Sequence, residues 1–135
     1  MNQYKESYKG LVGMILGFVV LMFLFPFLTD LQGKFTAVIS LNLVNLWVAL
    51  LSLVIYKTEY IYWINGVSYE DAVKAGSERR KAYAMQHLRR FGIYAGAFVL
   101  YSLVSCIVGF HIAIDFIIAG IGIVSVAVST IRIKL

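Results

Sequence analysis

Hydrophobic residues in this chain form long unbroken runs, not the alternating or one-sided patterns of water-soluble strands and helices. The first run covers residues 10–28 and the second covers residues 35–56, and neither contains a charged side chain. A helix needs about 20 apolar residues to cross the roughly 30 Å hydrocarbon core of a bilayer. Each of these runs therefore predicts one transmembrane helix.

A third hydrophobic run covers residues 91–131 and is interrupted only by His111 and Asp115. As one straight helix it would reach about 60 Å, twice the thickness of the hydrocarbon core. The run must therefore fold back, and the polar break from Gly109 to Asp115 is the expected turn. The sequence thus predicts an all-α integral membrane protein with four transmembrane helices, over residues 10–28, 35–56, 91–109 and 113–131.

Residues that favour helix ends and turns lie between the first two spans. Pro26 falls in the last turn of the first span, where a helix can end with little loss of hydrogen bonding. Asp30 and Gly33 lie in the link that follows, and they favour a tight turn between antiparallel helices. The first two spans are therefore expected to form a hairpin.

The 57–90 segment is the long polar loop of the chain. Asn65-Gly66 is a turn signal, and Ser68 with Asp71 three residues later is typical of a helix N-terminus. We therefore expect a helix from Tyr69, weakened or broken at Gly76-Ser77. At the start of the loop, a group of aromatic residues favours a belt at lipid head-group depth, with a cage for a cationic ligand as the alternative; it comprises Tyr56, Tyr60, Tyr62 and Trp63.

The distribution of basic residues predicts the orientation. Of the 12 Lys and Arg residues, only Lys34 lies in a loop on one side, and the other 11 lie in the N-terminal segment, the 57–90 loop and the C-terminal segment. Cytoplasmic loops carry the excess of Lys and Arg in membrane proteins. Both termini and the long loop are therefore expected in the cytoplasm, and the cell membrane is the expected location.

Composition narrows the function classes. The chain is 61% hydrophobic and only 14% charged, whereas soluble domains are about a quarter charged. The net charge of +5 suits anionic lipid head groups better than nucleic acid in a protein of this kind. Cys106 is the single cysteine, so no disulfide or cysteine-based metal site is expected. No catalytic motif is present, and neither enzymatic activity nor a cofactor is expected.

Two glycine pairs with helical i, i+4 spacing lie in the first and third spans: Gly13 with Gly17, and Gly92 with Gly96. Small residues at this spacing let two membrane helices approach closely. The pairs predict tight helix packing, either inside one chain or between copies in a homo-oligomer.

Four polar residues in or beside the spans are candidates for function. Asn42 and Asn45 share one face of the second span, and lipid offers an amide no hydrogen-bond partner. They are expected to make interhelical hydrogen bonds or to line a polar path. His111 and Asp115 are four residues apart and are candidates for a proton-sensitive pair, or Asp115 is a cap of the fourth helix.

The basic residues before the third span form a candidate docking surface. Their simplest role is to set the topology beside lipid phosphates. The alternative is a binding surface for a partner protein or an anionic ligand. The set consists of Arg79, Arg80, Lys81, Arg89 and Arg90.

Two function classes follow from these features. The first is a non-enzymatic membrane component that acts as an oligomer or as an accessory subunit of a larger membrane complex. The second is an oligomeric channel or transporter for a small solute or ion, which would use Asn42, Asn45, His111 and Asp115.

Overall fold

The computed structural model describes residues 4–28, 33–64 and 66–135, with four helices and no strand among them. Helix α1 is Lys9–Leu28, α2 is Lys34–Thr58, α3 is Tyr69–Val108 and α4 is Ile112–Thr130. All four are long and apolar enough to span a membrane. The chain is therefore an all-helical, multi-pass membrane protein, as the hydrophobic runs predict.

Helix ends agree closely with the sequence-based predictions. Pro26 lies in the last turn of α1. The expected turn within the last hydrophobic run begins at Gly109, which adopts a left-handed conformation with φ of 81° and closes α3 through a hydrogen bond to the Ser105 carbonyl. Asp30 and Asn65, which were assigned to turns, lie outside the described residues.

Helix α3 joins the polar loop to the third span without an intervening turn. Its N-cap is Ser68, which accepts a hydrogen bond from the Asp71 amide, as predicted. Gly76 has φ of 76° and ψ of 166°, so the helix is kinked there. At 1.5 Å per residue, the segment after Gly76 is about 48 Å long. Helix α3 therefore extends well beyond the hydrocarbon at one end.

Helices α2, α3 and α4 form the interior, and α2 and α3 share the most extensive contact. Helix α1 packs mainly on α2, and no residue in its membrane-length window is buried. The two ends of the molecule are called here the hairpin end, with Gly33 and residues 109–111, and the loop end, with residues 59–90.

The main buried hydrophobic cluster lies at the loop end, where the second apolar span meets the polar loop. It joins the last turns of α2, a 3₁₀ turn at Ile61–Trp63, the first part of α3 and the C-terminal Ile133. Ile61, Ala72 and Ala84 are completely buried in it. The polar loop is thus a small packed unit with its own core, which a simple helical connector would not need.

Candidate functional site

Asp115 is the centre of a buried polar cluster at the hairpin end. Its side chain is 1% exposed, and its Oδ1 accepts hydrogen bonds from the hydroxyls of Tyr101 at 2.8 Å and Ser105 at 2.5 Å. Lys34 Nζ lies 3.9 Å from Oδ2, which has no hydrogen-bond partner. A carboxylate buried at this depth is tolerated only when it is paired or hydrogen-bonded, and these three neighbours supply both.

Lys34 connects this cluster to the end of α3. Its ammonium group donates to the Ser105 carbonyl at 2.7 Å and to the Phe110 carbonyl. The last carbonyls of a helix have no partner within the helix and carry partial negative charge, which favours a cation there. Lys34, at the first position of α2, therefore joins the α2 start to the turn between α3 and α4.

His111 is not part of this cluster. It is the exposed N-cap of α4, and its Nδ1 accepts a hydrogen bond from the Ala113 amide at 3.2 Å. The side-chain contacts described for Asp115 are instead with α3 and with Lys34. The expectation that Asp115 caps α4 is therefore wrong, and the expected pair of His111 and Asp115 is replaced by an ion pair between Lys34 and Asp115.

The two asparagines of α2 face protein at the middle of the bundle. Asn42 Nδ2 donates to the Ser102 hydroxyl of α3 at 2.8 Å and to the Val38 carbonyl at 2.8 Å, while its buried Oδ1 has no hydrogen-bond partner. Asn45 is 4% exposed and lies beside Tyr94 of α3, whose hydroxyl donates to the Ala119 carbonyl of α4. These contacts join α2 to α3 inside the apolar spans.

Glu59 is the centre of a second ionic cluster, at the loop end. Its carboxylate accepts hydrogen bonds from Arg80 Nε at 3.0 Å and Ser77 Oγ at 2.8 Å, and Lys81 Nζ lies 3.4 Å away. Partial burial alone would raise the pKa of Glu59. The donated hydrogen bonds and the positive charge of Arg80 outweigh that effect, so its pKa lies below the ordinary value of 4.5.

The N-terminal segment covers this cluster through Tyr4. The Arg80 guanidinium lies 3.9 Å above the centre of the Tyr4 ring, and the Tyr4 hydroxyl donates to the Glu59 carbonyl at 2.7 Å. Tyr69 stacks on Tyr4, with 5.7 Å between ring centres, and donates to its carbonyl at 2.6 Å. Tyr4, which is not one of the four residues of the predicted aromatic belt, thus lies against a cation of the protein itself, Arg80.

The candidate docking residues differ in their exposure and in the groups that they contact. Arg79, Lys81 and Arg89 are exposed. Arg80 is 8% exposed and is held by Glu59, Tyr4 and the Ala72 carbonyl. Arg90 donates to the Ser129 carbonyl at the end of α4. Arg80 and Arg90 therefore hold helices and loops together, the exposed Lys81 also lies 3.4 Å from the Glu59 carboxylate, and docking by this set of residues stays a prediction.

The four glycines of the two predicted pairs differ in what surrounds them. A Cβ at Gly17 would lie 3.7 Å from the Trp47 ring of α2, so this glycine packs within the chain. A Cβ at Gly13, Gly92 or Gly96 would meet no described atom within 4 Å. Gly122, which was not among the paired glycines, accommodates the Tyr94 ring so closely that a Cβ would overlap it.

Sequence reasoning missed the roles of three residues. Lys34 and Glu59 belong to the two ionic clusters, and His87 is buried in α3. His87 is 4% exposed, its Nδ1 lies 3.1 Å from the Tyr83 carbonyl, and burial lowers its pKa. The only available signal for His87 was its helical spacing from Tyr83 and Ala84, which places these buried residues on one face of α3. Glu59 had no sequence signal, since its partners lie about 20 residues away in α3.

Comparison with known proteins found no matching family model, no matching curated protein and no matching solved structure.

Proposed function

We propose that this protein is a non-enzymatic membrane component that functions as a homo-oligomer, assembled through helix faces that its own fold leaves free. The observation that carries this proposal is the open space around Gly13, Gly92 and Gly96. Glycine lowers helix stability relative to alanine by about 0.5–1 kcal/mol. In membrane helices that cost is offset where the missing side chain lets another helix approach closely.

Helix α1 offers the first free face. It lies at the edge of the bundle, with Gly17 against Trp47 and Gly13 open. Leu16, Val20 and Phe23 are more than half exposed along the same helix. A second copy of α1 has room to approach at Gly13, because a Cβ there would meet no described atom within 4 Å.

Helix α3 offers the second free face, beside a groove that it forms with α2. Gly92, Gly96, Val99 and Leu103 follow one another at helical spacing along this face. The groove has a volume of about 480 Å³, and its lining includes Val99, Leu103 and the half-buried Asn42. A helix packed against Gly92 and Gly96 would continue along the groove and cover Asn42.

The orientation proposed for this assembly places both termini and the loop end in the cytoplasm of a cell-membrane protein. Its support is the 11 to 1 division of basic residues between the two sides of the four spans. In this orientation the exposed Arg79, Lys81 and Arg89 lie near anionic head groups of the inner leaflet, each contributing about 1 kcal/mol of attraction.

Leucine substitutions at the open glycines test the assembly, and another glycine of α1 provides the control. Gly13→Leu and Gly96→Leu are each expected to weaken association by about tenfold or more, because the added side chain separates two packed backbones. Gly17→Leu is the matched control, since it meets Trp47 within the chain and is expected to lower the thermal midpoint. The measurement is the fraction of chemically cross-linked dimer in lipid nanodiscs at graded protein-to-lipid ratios. Unchanged cross-linking in both Gly13→Leu and Gly96→Leu would refute the assigned faces.

A second candidate function, an oligomeric ion or proton pathway, is favoured by one specific observation. Two buried oxygens, Asn42 Oδ1 and Asp115 Oδ2, have no hydrogen-bond partner in the described structure. Buried acceptors normally bind a proton donor, a water molecule or an ion. For this function, Asn42→Leu is expected to abolish ion or proton flux into vesicles that contain the protein and to leave its cross-linked fraction unchanged. No protein-dependent flux in the wild type would exclude it.

A further inference from the structure

A cavity of about 620 Å³ lies at the loop end, between the last turns of α4 and the packed unit of the polar loop. Val124 and Val128 of α4 and Ile131, which follows it, line one side, and Tyr83 and His87 of α3 line another. Its volume is within the range of ordinary small-molecule sites, about 300–1,000 Å³. None of the assembly faces on α1 or α3 contributes to it.

The cavity is open at the exposed apolar side of α4, the side that would face acyl chains in a bilayer. Val124 is 60% exposed, Val128 54% and Ile131 79%, although all three line the cavity. Val124 and Val128 lie in the last two turns of α4 and Ile131 follows the helix, so all three are at the end of the fourth apolar span. A molecule dissolved in the bilayer can therefore enter from the side, with its polar end at head-group depth.

The lining is uncharged. Every residue that lines this cavity is apolar or neutral, and the polar groups come from Tyr83, His87 and Thr130. Arg90 is the charged residue that acts on His87, but its guanidinium already donates to the Ser129 carbonyl, so a charged head group would lose hydration here without a free counter-charge, at a cost of several kcal/mol. The occupant must therefore be neutral at its polar end.

His87 determines which hydrogen-bonding group fits. Because a carbonyl oxygen only accepts hydrogen bonds, the contact with the Tyr83 carbonyl requires that Nδ1 carries the hydrogen. In the neutral ring, Nε2 is then a lone-pair acceptor at the other edge of the imidazole. Burial lowers the pKa of His87, and the positive charge of Arg90 contributes in the same direction, so the neutral ring is the prevailing form at pH 7.

We propose that this cavity binds a neutral lipid with a free hydroxyl group, of the diacylglycerol type. The acyl chains would lie along the exposed side of α4, and the hydroxyl would donate to Nε2 of His87. Thr130 is not a competing donor for this nitrogen, because its hydroxyl already donates to the Ala127 carbonyl at 2.6 Å. The site is independent of the proposed oligomer.

Trp63 provides a reporter, because it lines a smaller cavity that shares His87, Ile64 and Thr130 with the larger one. In a Trp47→Phe background, Trp63 is the remaining tryptophan. The full chain in phosphatidylcholine nanodiscs would be titrated with 1,2-dioctanoylglycerol and, separately, with its 3-acetyl ester. The ester enters the bilayer in the same way but has no hydroxyl to donate.

Dioctanoylglycerol is expected to change the Trp63 fluorescence with a saturable midpoint, and the acetyl ester is expected to need about tenfold more, because it leaves a buried acceptor unpaired. Ala127→Phe, which fills the cavity from α4, and His87→Phe are each expected to raise the midpoint by a similar factor. Ala97→Phe, at an exposed position of α3, is the matched control and should not change it. Equal midpoints for the alcohol and the ester, a non-saturable response, or an unchanged midpoint in Ala127→Phe would each overturn the proposal.

Discussion

Two cations bind the C-terminal ends of helices in this bundle, and each comes from a different helix. Lys34 of α2 binds carbonyls at the end of α3, and Arg90 of α3 binds the Ser129 carbonyl at the end of α4. Since lipid cannot satisfy these carbonyls, each contact replaces hydrogen bonds that water would supply in a soluble protein. Successive helices are thus joined at opposite ends of the molecule.

Removal of either member of the Lys34–Asp115 pair is expected to destabilise the protein. Lys34→Met leaves Asp115 buried without its counter-charge, and breaking such a pair costs about 3 kcal/mol. Asp115→Asn is expected to cost less, because Asn can still accept from Tyr101 and Ser105. The measurement is the free energy of unfolding in mixed micelles for a double-mutant cycle. A double variant that shows the simple sum of the two single effects would contradict a direct interaction.

Glu59 is expected to make the loop end acid-sensitive. Its folded pKa lies below the ordinary value of 4.5, so its contribution to stability is complete above that value and is lost as the pH falls through the folded pKa. The thermal midpoint of the wild type should therefore fall below about pH 4.5 more steeply than that of Glu59→Gln. Glu70→Gln, at an exposed position of α3, is the control and should follow the wild-type profile. Identical profiles for Glu59→Gln and the wild type would refute the assignment.

At this scale, the sequence identified the polar residues but not their partners. Because Asp115 and His111 lie within one helical turn of sequence, they were candidates for a proton-sensitive pair, with a cap of α4 as the alternative role of Asp115. The actual partner Lys34 is 81 residues away, and only the antiparallel packing of α2 on α3 brings it close. In the same way, Arg80 was grouped with its basic neighbours, while its burial depends on Tyr4 and Glu59 from two other segments.

At the scale of helices, α3 is distinctive because one helix serves both the polar loop and a membrane span. Gly76 allows this, since φ of 76° with ψ of 166° is a conformation that essentially only glycine adopts. The kink redirects the helix between the packed unit at the loop end and the span. The turns of α3 before the kink contribute Ala72 to the core that also contains Ile61 of the 3₁₀ turn.

Gly76→Ala is therefore expected to destabilise the protein by about 1–3 kcal/mol, the cost of this conformation in a residue with a Cβ. Gly120→Ala is the matched control, because Gly120 lies in regular helix with open space around it. It should be neutral or stabilising by up to about 1 kcal/mol. The comparison uses free energies of unfolding in one detergent mixture. A Gly76→Ala variant as stable as Gly120→Ala would show that the kink is not required.

Helix bounds were largely predictable from the sequence, because hydrocarbon thickness and capping chemistry act locally. The Ser68 cap, the break at Gly76 and the turn after Gly109 all follow from a few adjacent residues. The packed core at the loop end was not predictable in this way. It joins Ile55, Ile61 and Ile133, whose proximity depends on how three separate segments return to one end of the bundle.

At the scale of the whole molecule, the orientation can be tested with single cysteines in a Cys106→Ala background. Arg79→Cys places an exposed thiol at the loop end, and His111→Cys places one at the hairpin end. A membrane-impermeant maleimide added to intact cells is expected to label position 111 and to spare position 79 until the cells are opened. Labelling of position 79 in intact cells would reverse the proposed topology.

The whole molecule is asymmetric in how its helices are used. Helices α2, α3 and α4 share buried polar contacts, whereas α1 has no buried residue in its membrane-length window. The interior of the single chain therefore forms without the free faces of α1 and α3. In the proposed assembly, the open glycines on these two faces contact a second copy. A two-fold dimer is the commonest form of such an assembly.

Counting subunits in a bilayer tests this central claim most directly. The Arg79→Cys chain in a Cys106→Ala background, labelled with one fluorophore, would be reconstituted into lipid vesicles at a density where a monomeric membrane protein bleaches in one step. The account predicts two or more bleaching steps in most fluorescent spots, with a shift toward single steps in the same chain that carries Gly13→Leu and Gly96→Leu. Single-step bleaching throughout, in the chain with its glycines intact, would contradict the account.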